Sequence, residues 1–388
     1  MKQFGAIYRY ELKKIIDSKL TKAAFIVAII IAALNGVFQV WDGVGIGQER
    51  SVINDLALLS GRELNNDLIS EASGKCLDEY GASWNPQDIA YGSVISYAVK
   101  VIGGGDIGYN RSVSEYTADE IYDVRLKNID KTYDTSKLSE GEIGYWQKME
   151  KKIRKPFVWQ ITEIAKGLYD GISNCNMNGL FFVVLCLAGV FATEHHSGAD
   201  QIIHCTKNGK RVTYYAKVLA GLTFIIVSFI FIISLMIVIT IALWGTEGLD
   251  GTIQLVLPFS QLPFTNRQFI LIIVAVLFAG IILYSMTTMV VSEWEKNGVA
   301  TVGTVIFLFF ALYMISNMIP YEYRIITQIT DANPLFFVSK SMAYEYRLVN
   351  IGGHYLTAYQ VVPAVYIMIS VVLFFVGRRL YCRYQVGK

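Results

Sequence analysis

Residues 191–217 read FATEHHSGADQIIHCTKNGKRVTYYAK, and a long apolar run lies on either side of them. The first run stops at Glu194 and the second starts after Lys217. A polar segment this short, between two runs of membrane-spanning length, reads as the turn of an antiparallel pair of membrane helices. The aliphatic pair Ile202 and Ile203 sits amid glycine and charge, which suits a short helix with one sticky face inside that turn.

Working outward, the composition agrees with a membrane setting. The chain is 53% hydrophobic and 17% charged, too apolar for a soluble protein of 388 residues. The apolar residues are clumped into six runs, 23–40, 178–193, 218–244, 269–291, 299–319 and 359–376, each read as a span, the second short enough to borrow length from Ile172 onward. The net charge of +2 says little, but its placement says more. Lys2, Arg9, Lys13, Lys14, Lys19 and Lys22 precede the first run. Lys207, Lys210, Arg211 and Lys217 follow the second, and Arg378, Arg379, Arg383 and Lys388 follow the last. With six spans all three clusters fall on one side, and basic residues near span ends stay in the cytoplasm, so both termini are placed inside. The first run has no small-residue cleavage site behind it and reads as an uncleaved anchor.

Residues 1–22 place Phe4, Ile7, Tyr8, Leu12, Ile15 and Ile16 at helical spacing with lysines between, an amphipathic helix for the inner membrane interface. Between the first two runs lies a polar insert, 42–174, large enough for a domain, with more acids than bases, as expected on the outer side. Helical patterns cover 51–68, 115–129 and 142–164, and Thr117-x-x-Glu120 has the form of a capping box. Glycines at 43–47, 103–108 and 141–144 read as turns. Later, the apolar 245–267 segment reads as resting in the outer interface, and Asn333–Pro334 breaks a segment whose flanks suit short helices dipping into the outer leaflet. The expected fold is therefore an all-α polytopic membrane protein. It has an interfacial helix over 1–22, a first transmembrane helix over 23–41, a mainly helical extracytoplasmic domain over 42–174, and a five-helix remainder over 175–388 with the loop 194–217.

Several chemistries are excluded or weak. GGGDIGYN at 103–110 lacks the lysine and preceding strand of a phosphate loop, and Lys210 is followed by Arg211, so no stretch fits G-x-x-x-x-G-K-[ST]. The aromatic and basic stretch YWQKMEKKIRKPFVWQI at 145–161 reads either as a patch for headgroups or an acidic substrate, or as a solvated helix face. The six runs hold no Asp, Glu, Lys or Arg, which disfavours an ion-coupled transporter. Asn35, Gln39, Ser285, Thr287, Thr288 and Asn317 are among their polar groups, read mostly as interhelical hydrogen bonds. His195, His196, His204 and Cys205 have no standard zinc spacing, so no metal site is expected, and no protease or hydrolase motif is present. Of the five cysteines, Cys76 and Cys175 fall in the external segment, where a disulfide and two separate buried thiols are equally open.

The order Glu194, Gly198, Ile202–Ile203, Arg211, Lys217 resembles the loop between the first two core helices of ABC-2-type permeases, and YRYELKK at 8–14, with Glu11, is similar to their leader helix. Ala199 stands where that family commonly has threonine, and its proline before the arginine is missing. The resemblance implies that Glu194, Gly198, Ile202, Ile203, Arg211, Lys217 and Glu11 couple the chain to a separate ABC ATPase, with ATP and Mg on that partner and no cofactor here. It implies a second permease copy or paralogue, no catalysis in this chain, and no nucleic acid. Glu293 and Glu295, in the inner turn SEWEKN, are further candidates to reach that ATPase. The expected function is the permease subunit of an ATP-driven exporter in a bacterial cytoplasmic membrane, moving an antimicrobial peptide, lipid-linked molecule or hydrophobic drug. The alternative is a multi-pass membrane sensor whose external domain binds a peptide or lipid.

Overall fold

The computed structural model describes residues 2–41, 49–76, 89–103, 113, 116–198, 209–320 and 322–383. Within them, six helices are long and apolar enough to cross a membrane: Lys19–Val40, Glu163–His195, Lys210–Trp244, Asn266–Glu295, Gly298–Met318 and Ala358–Arg383. This is a multi-pass helical membrane protein. In chain order the elements are α1 (Lys2–Asp17), α2 (Lys19–Trp41), α3 (Glu49–Ala57), α4 (Asn66–Cys76), α5 (Ile89–Ile102), α6 (Ala118–Thr135) and α7 (Glu140–Glu150). There follow α8 (Glu163–Leu187), α9 (Gly189–Ser197), α10 (Gly209–Trp244), α11 (Asn266–Glu295), α12 (Gly298–Met318), α13 (Arg324–Asp331), α14 (Pro334–Phe337) and α15 (Ala358–Arg383).

Helices α8 and α11 form the centre of the bundle, with 72% and 67% of their most apolar stretches buried, whereas α12 and α15 stand outside at 17% and 22%. Apolar side chains such as Val299, Phe307, Met318 and Val372 face outward from the outer helices, the arrangement lipid stabilises. The second span is much longer than its apolar run because α8 starts at Glu163 and takes in Cys175, Asn176 and Met177. That changes the reading of the cysteines. Cys175 lies within a spanning helix with its Sγ 3.6 Å from Met236 Sδ, Cys76 lies in the separate core of the insert, and the disulfide does not form.

The polar groups of the spans mostly bond within their own helices. Gln39 Nε2 donates to Asn35 Oδ1 at 3.2 Å, Ser285 to the Ile281 carbonyl, Thr288 to the Tyr284 carbonyl and Asn317 to the Tyr313 carbonyl. A hydroxyl or amide four residues past a carbonyl finds its partner without help from a neighbour. The bonds between helices come from other residues: Tyr169 OH to Asn266 Oδ1 at 2.6 Å and Asn176 Nδ2 to the Pro334 carbonyl at 2.8 Å.

The insert is helical over its described residues, with corrections. The 51–68 pattern is two helices, α3 and α4, parted by a turn at Leu58–Gly61. Gly141 and Gly144 lie inside α7 rather than in a turn. Helix α7 stops at Glu150, and beyond Pro156 the chain is extended: Phe157, Trp159 and Ile161 are buried alternately, and Trp159 exchanges backbone bonds with Gly61 and Arg62. The alternation in FVWQI is a period of two, which a strand-like segment buries on one face. The capping box forms: Thr117 Oγ1 accepts from the Glu120 N–H at 3.2 Å, and Glu120 Oε2 accepts from the Thr117 N–H at 2.8 Å. Ser139 and Glu142 build a second one.

The insert sits on the connections between the later spans. The 245–265 connection is apolar because it is a seam inside the protein: Ile253 and Gln254 are fully buried, and Leu255 belongs to the insert's own core. A short antiparallel hairpin, β1 (Val349–Ile351) with β2 (His354–Leu356), is added to the all-helical plan. Its turn, Gly352–Gly353, takes φ of +60° and +87°, which glycine adopts without a Cβ penalty.

Candidate functional site

The turn that organised the sequence lies at the end of the bundle opposite the insert, and its flanks are well defined. Helix α8 breaks at Ala188, and α9 continues the chain to Ser197. Such a break exposes backbone groups, and Ser292 of α11 satisfies them: its hydroxyl donates to the Ala188 carbonyl at 2.6 Å and receives the N–H groups of Phe191 and Ala192 at 3.4 and 3.2 Å. Beside it His195 Nε2 lies 3.1 Å from Glu293 Oε2, both side chains buried. Gly198 caps α9 at φ +67°, the left-handed position that suits glycine.

Three helices then meet in a closed cluster of four charges. Lys217 of α10, fully enclosed, places its Nζ 2.5 Å from Glu194 Oε1, 3.1 Å from Glu11 Oε2 and 3.0 Å from the Val190 carbonyl, with the ring of Phe191 on another side at 5.4 Å. Lys14 reaches the same two carboxylates at 2.7 and 2.8 Å. Two positive and two negative charges balance, which is what allows them to leave water. Burial works against the Lys14 ammonium, but Glu11 and Glu194 together hold its pKa above the ordinary lysine value. The result is one ion cluster, a joint at which α1, α9 and the start of α10 share one set of charges.

Three of the sequence candidates therefore lie inside the protein. Glu11, Glu194 and Lys217 are almost completely buried on one another, so none of them presents its charge to a docking protein. Glu293 is likewise turned inward, and Glu295 accepts a hydrogen bond from Thr304 at 2.5 Å. Arg211 is exposed. Ile202, Ile203, His204 and Cys205, together with the side chain of His196, lie outside the described residues. Lys14, Ser292 and the contact between His195 and Glu293 were not legible beforehand. Lys14 follows Glu11 by one helical turn on a basic helix, but its second partner is 180 residues away.

The opposite end carries a second set of buried charges, built on arginine. Arg125 of α6 is 1% exposed and donates to the Pro258 carbonyl, to the Ser260 carbonyl at 2.8 Å, and to both oxygens of Glu150 at 2.7 and 3.3 Å. Glu142 accepts from Arg324 and from the backbone N–H of Ser139 and Leu348. Burial alone would push the Glu142 carboxyl up, but Arg324 and the two N–H groups outweigh it and bring it down to about 2. Trp146 Nε1 donates to the Tyr346 carbonyl at 2.7 Å, and the two rings meet edge to face. These contacts lock the insert to the 245–265 and 319–357 connections.

No family model, curated protein or solved structure matches this chain.

Proposed function

We propose that this chain is the membrane subunit of an ATP-driven exporter of the ABC-2 type, working beside a separate ATPase chain and a second permease copy. In this reading α1, the 194–217 turn and both termini face the cytoplasm of a bacterium, the insert faces outward, and the cargo is an amphiphilic or hydrophobic molecule. One observation carries most of the support: the buried Glu11–Lys14–Glu194–Lys217 joint. A force applied to the turn is handed through it to α1, α9 and α10 together, because pulling any one of these helices out of the cluster strands a buried charge. A motor bound at the turn thus has a lever into the second and third spans.

In this reading the coupling residues divide into two groups. Glu194, Lys217 and Glu11 transmit, and the contact with the ATPase falls to Arg211 and to residues 199–208. Arg211→Glu leaves folding intact and weakens the ATPase association, whereas Glu194→Lys unfolds the joint. The test is purification of the tagged chain in mild detergent, with nucleotide hydrolysis assayed in the eluate, for the parent and Arg211→Glu. Hydrolysis that co-purifies with the parent and falls with Arg211→Glu supports the reading. Absence of any nucleotide-hydrolysing partner, or labelling of Cys205 in a single-cysteine version by an impermeant maleimide added outside intact cells, sinks it. A sensor would elute with a kinase or alone.

A further inference from the structure

The described residues enclose an apolar cavity of about 470 Å³ between α11, α12, α13 and α15, at the insert end of the bundle. Leu283, Phe309, Pro334, Phe337, Val362 and Tyr366 form its inner wall. Its flank is open: Ile325, Ile329 and Ile369 line it and are 72%, 70% and 42% exposed, the last on the spanning helix α15. A molecule can therefore enter sideways from the membrane. Ligand sites have this size and this make-up, mostly hydrocarbon walls with a few placed polar groups.

The polar groups are gathered in the lining formed by Asp331, Glu345 and Arg347. The Arg347 side chain is fully enclosed and bonded to Glu345 at 2.6 and 2.8 Å and to Asp331 Oδ2 at 2.8 Å. The two carboxylates keep some exposure, 13% and 15%. A ligand thus meets the carboxylates first, with the guanidinium closed off behind them. Nearby Arg324 is paired with Glu142, so the five groups, two arginines and three carboxylates, leave one negative charge. Gln328, half-buried in the same lining, adds an amide.

We infer that this cavity binds a single-chain amphiphile with a cationic ammonium head, its hydrocarbon tail along α12 and α15 and its head against Asp331 and Glu345. As a step in transport this rests on the exporter reading; as a binding site it does not, and the experiment below uses neither nucleotide nor partner. Charge selects the head because an anion would face two carboxylates with the compensating cation out of reach, and the low-dielectric wall magnifies the difference.

The full chain in phosphatidylcholine nanodiscs is photolabelled with a twelve-carbon amine that carries a diazirine at its tail, and the labelled peptides are mapped by mass spectrometry. The expected result is saturable labelling of the 325–337 and 361–369 segments, with dodecyltrimethylammonium competing about tenfold or more better than dodecyl sulfate. Val365→Trp fills the cavity and removes this labelling. Glu345→Gln keeps the site but narrows the difference between the two competitors. Unsaturable labelling spread over all lipid-facing helices overturns the proposal, and so does equal competition by the anion. Displacement of the probe by phosphatidylethanolamine mixed into the disc also overturns it, since the occupant would then be a bilayer lipid. Should Glu345→Gln not fold, the competition series on the parent chain still decides.

Discussion

The two ends of the bundle solve the same problem with different side chains. At the α1 end, Lys14 and Lys217 hold Glu11 and Glu194; at the insert end, Arg125, Arg324 and Arg347 hold Glu150, Glu142, Asp331 and Glu345. Arginine offers a rigid planar fork, and Arg125 uses it to grip two backbone carbonyls as well as a carboxylate. Such a contact fixes one geometry. A lysine ammonium is a compact charge with rotatable donors, and both lysines here touch the same two carboxylates, so partners can be exchanged while charge balance is kept. The difference teaches that the insert is built to stay in place on its connections, whereas the turn-bearing end is built as a joint.

The comparison breaks or sharpens under substitution. Lys217→Met strands Glu11 and Glu194 beside a single remaining lysine, and the cost is about 3–5 kcal/mol of folding stability. Thermal unfolding in detergent measures it, and adding Glu194→Gln recovers part of the loss because the two sites share one network. A loss near zero would mean that the joint is hydrated. Next comes Arg125→Lys, which keeps the charge but cannot reach both carbonyls, at about 1–3 kcal/mol. Hydrogen exchange should then speed up in α6 and the 253–262 segment and stay unchanged around Glu194. An equal rise at both ends would erase the contrast between fixed seam and joint.

Gly198→Ala is smaller. The left-handed φ of +67° costs an alanine about 1 kcal/mol, and among the described residues no neighbour lies within 4 Å of the added methyl, so strain is the effect expected. Melting of the variant alongside the parent reads it. The last prediction concerns pH and Glu142. Its pKa is depressed in the folded chain, so its contribution is fully present above the ordinary carboxyl pKa, near 4.5, and is lost as pH falls from there toward about 2. Glu142→Gln should therefore flatten the acid limb of a stability–pH curve in that window. An unchanged limb would show that the Arg324 contact is not what fixes the insert.

The spans were legible because hydropathy is a property of a run of residues, and a bilayer reads it one helix at a time. The amphipathic α1, the Thr117–Glu120 capping box and the break at Asn333–Pro334 were legible for a similar reason, since each is settled within a few residues. Hydropathy failed at the ends of the runs. It stopped the second span before Glu194 and started the third after Lys217, treating both charges as solvated, whereas each neutralises the other inside the protein. The apolar 245–265 segment was misplaced by the same logic: apolar character says that a segment is buried, not what buries it.

The sequence alone determined how many helices can cross a membrane, where its basic residues gather, and which residues begin and cap individual helices, because those depend on neighbours one to four positions apart. Only the tertiary structure decided that Glu11, Lys14, Glu194 and Lys217 form one buried joint, and that Cys76 and Cys175 stay apart. It also closed an apolar cavity against Asp331, Glu345 and Arg347. Those outcomes turn on pairing charges and filling space across separations such as the 206 residues between Glu11 and Lys217. The energy of a buried charge is set by what surrounds it, and the chain carries no local mark of that.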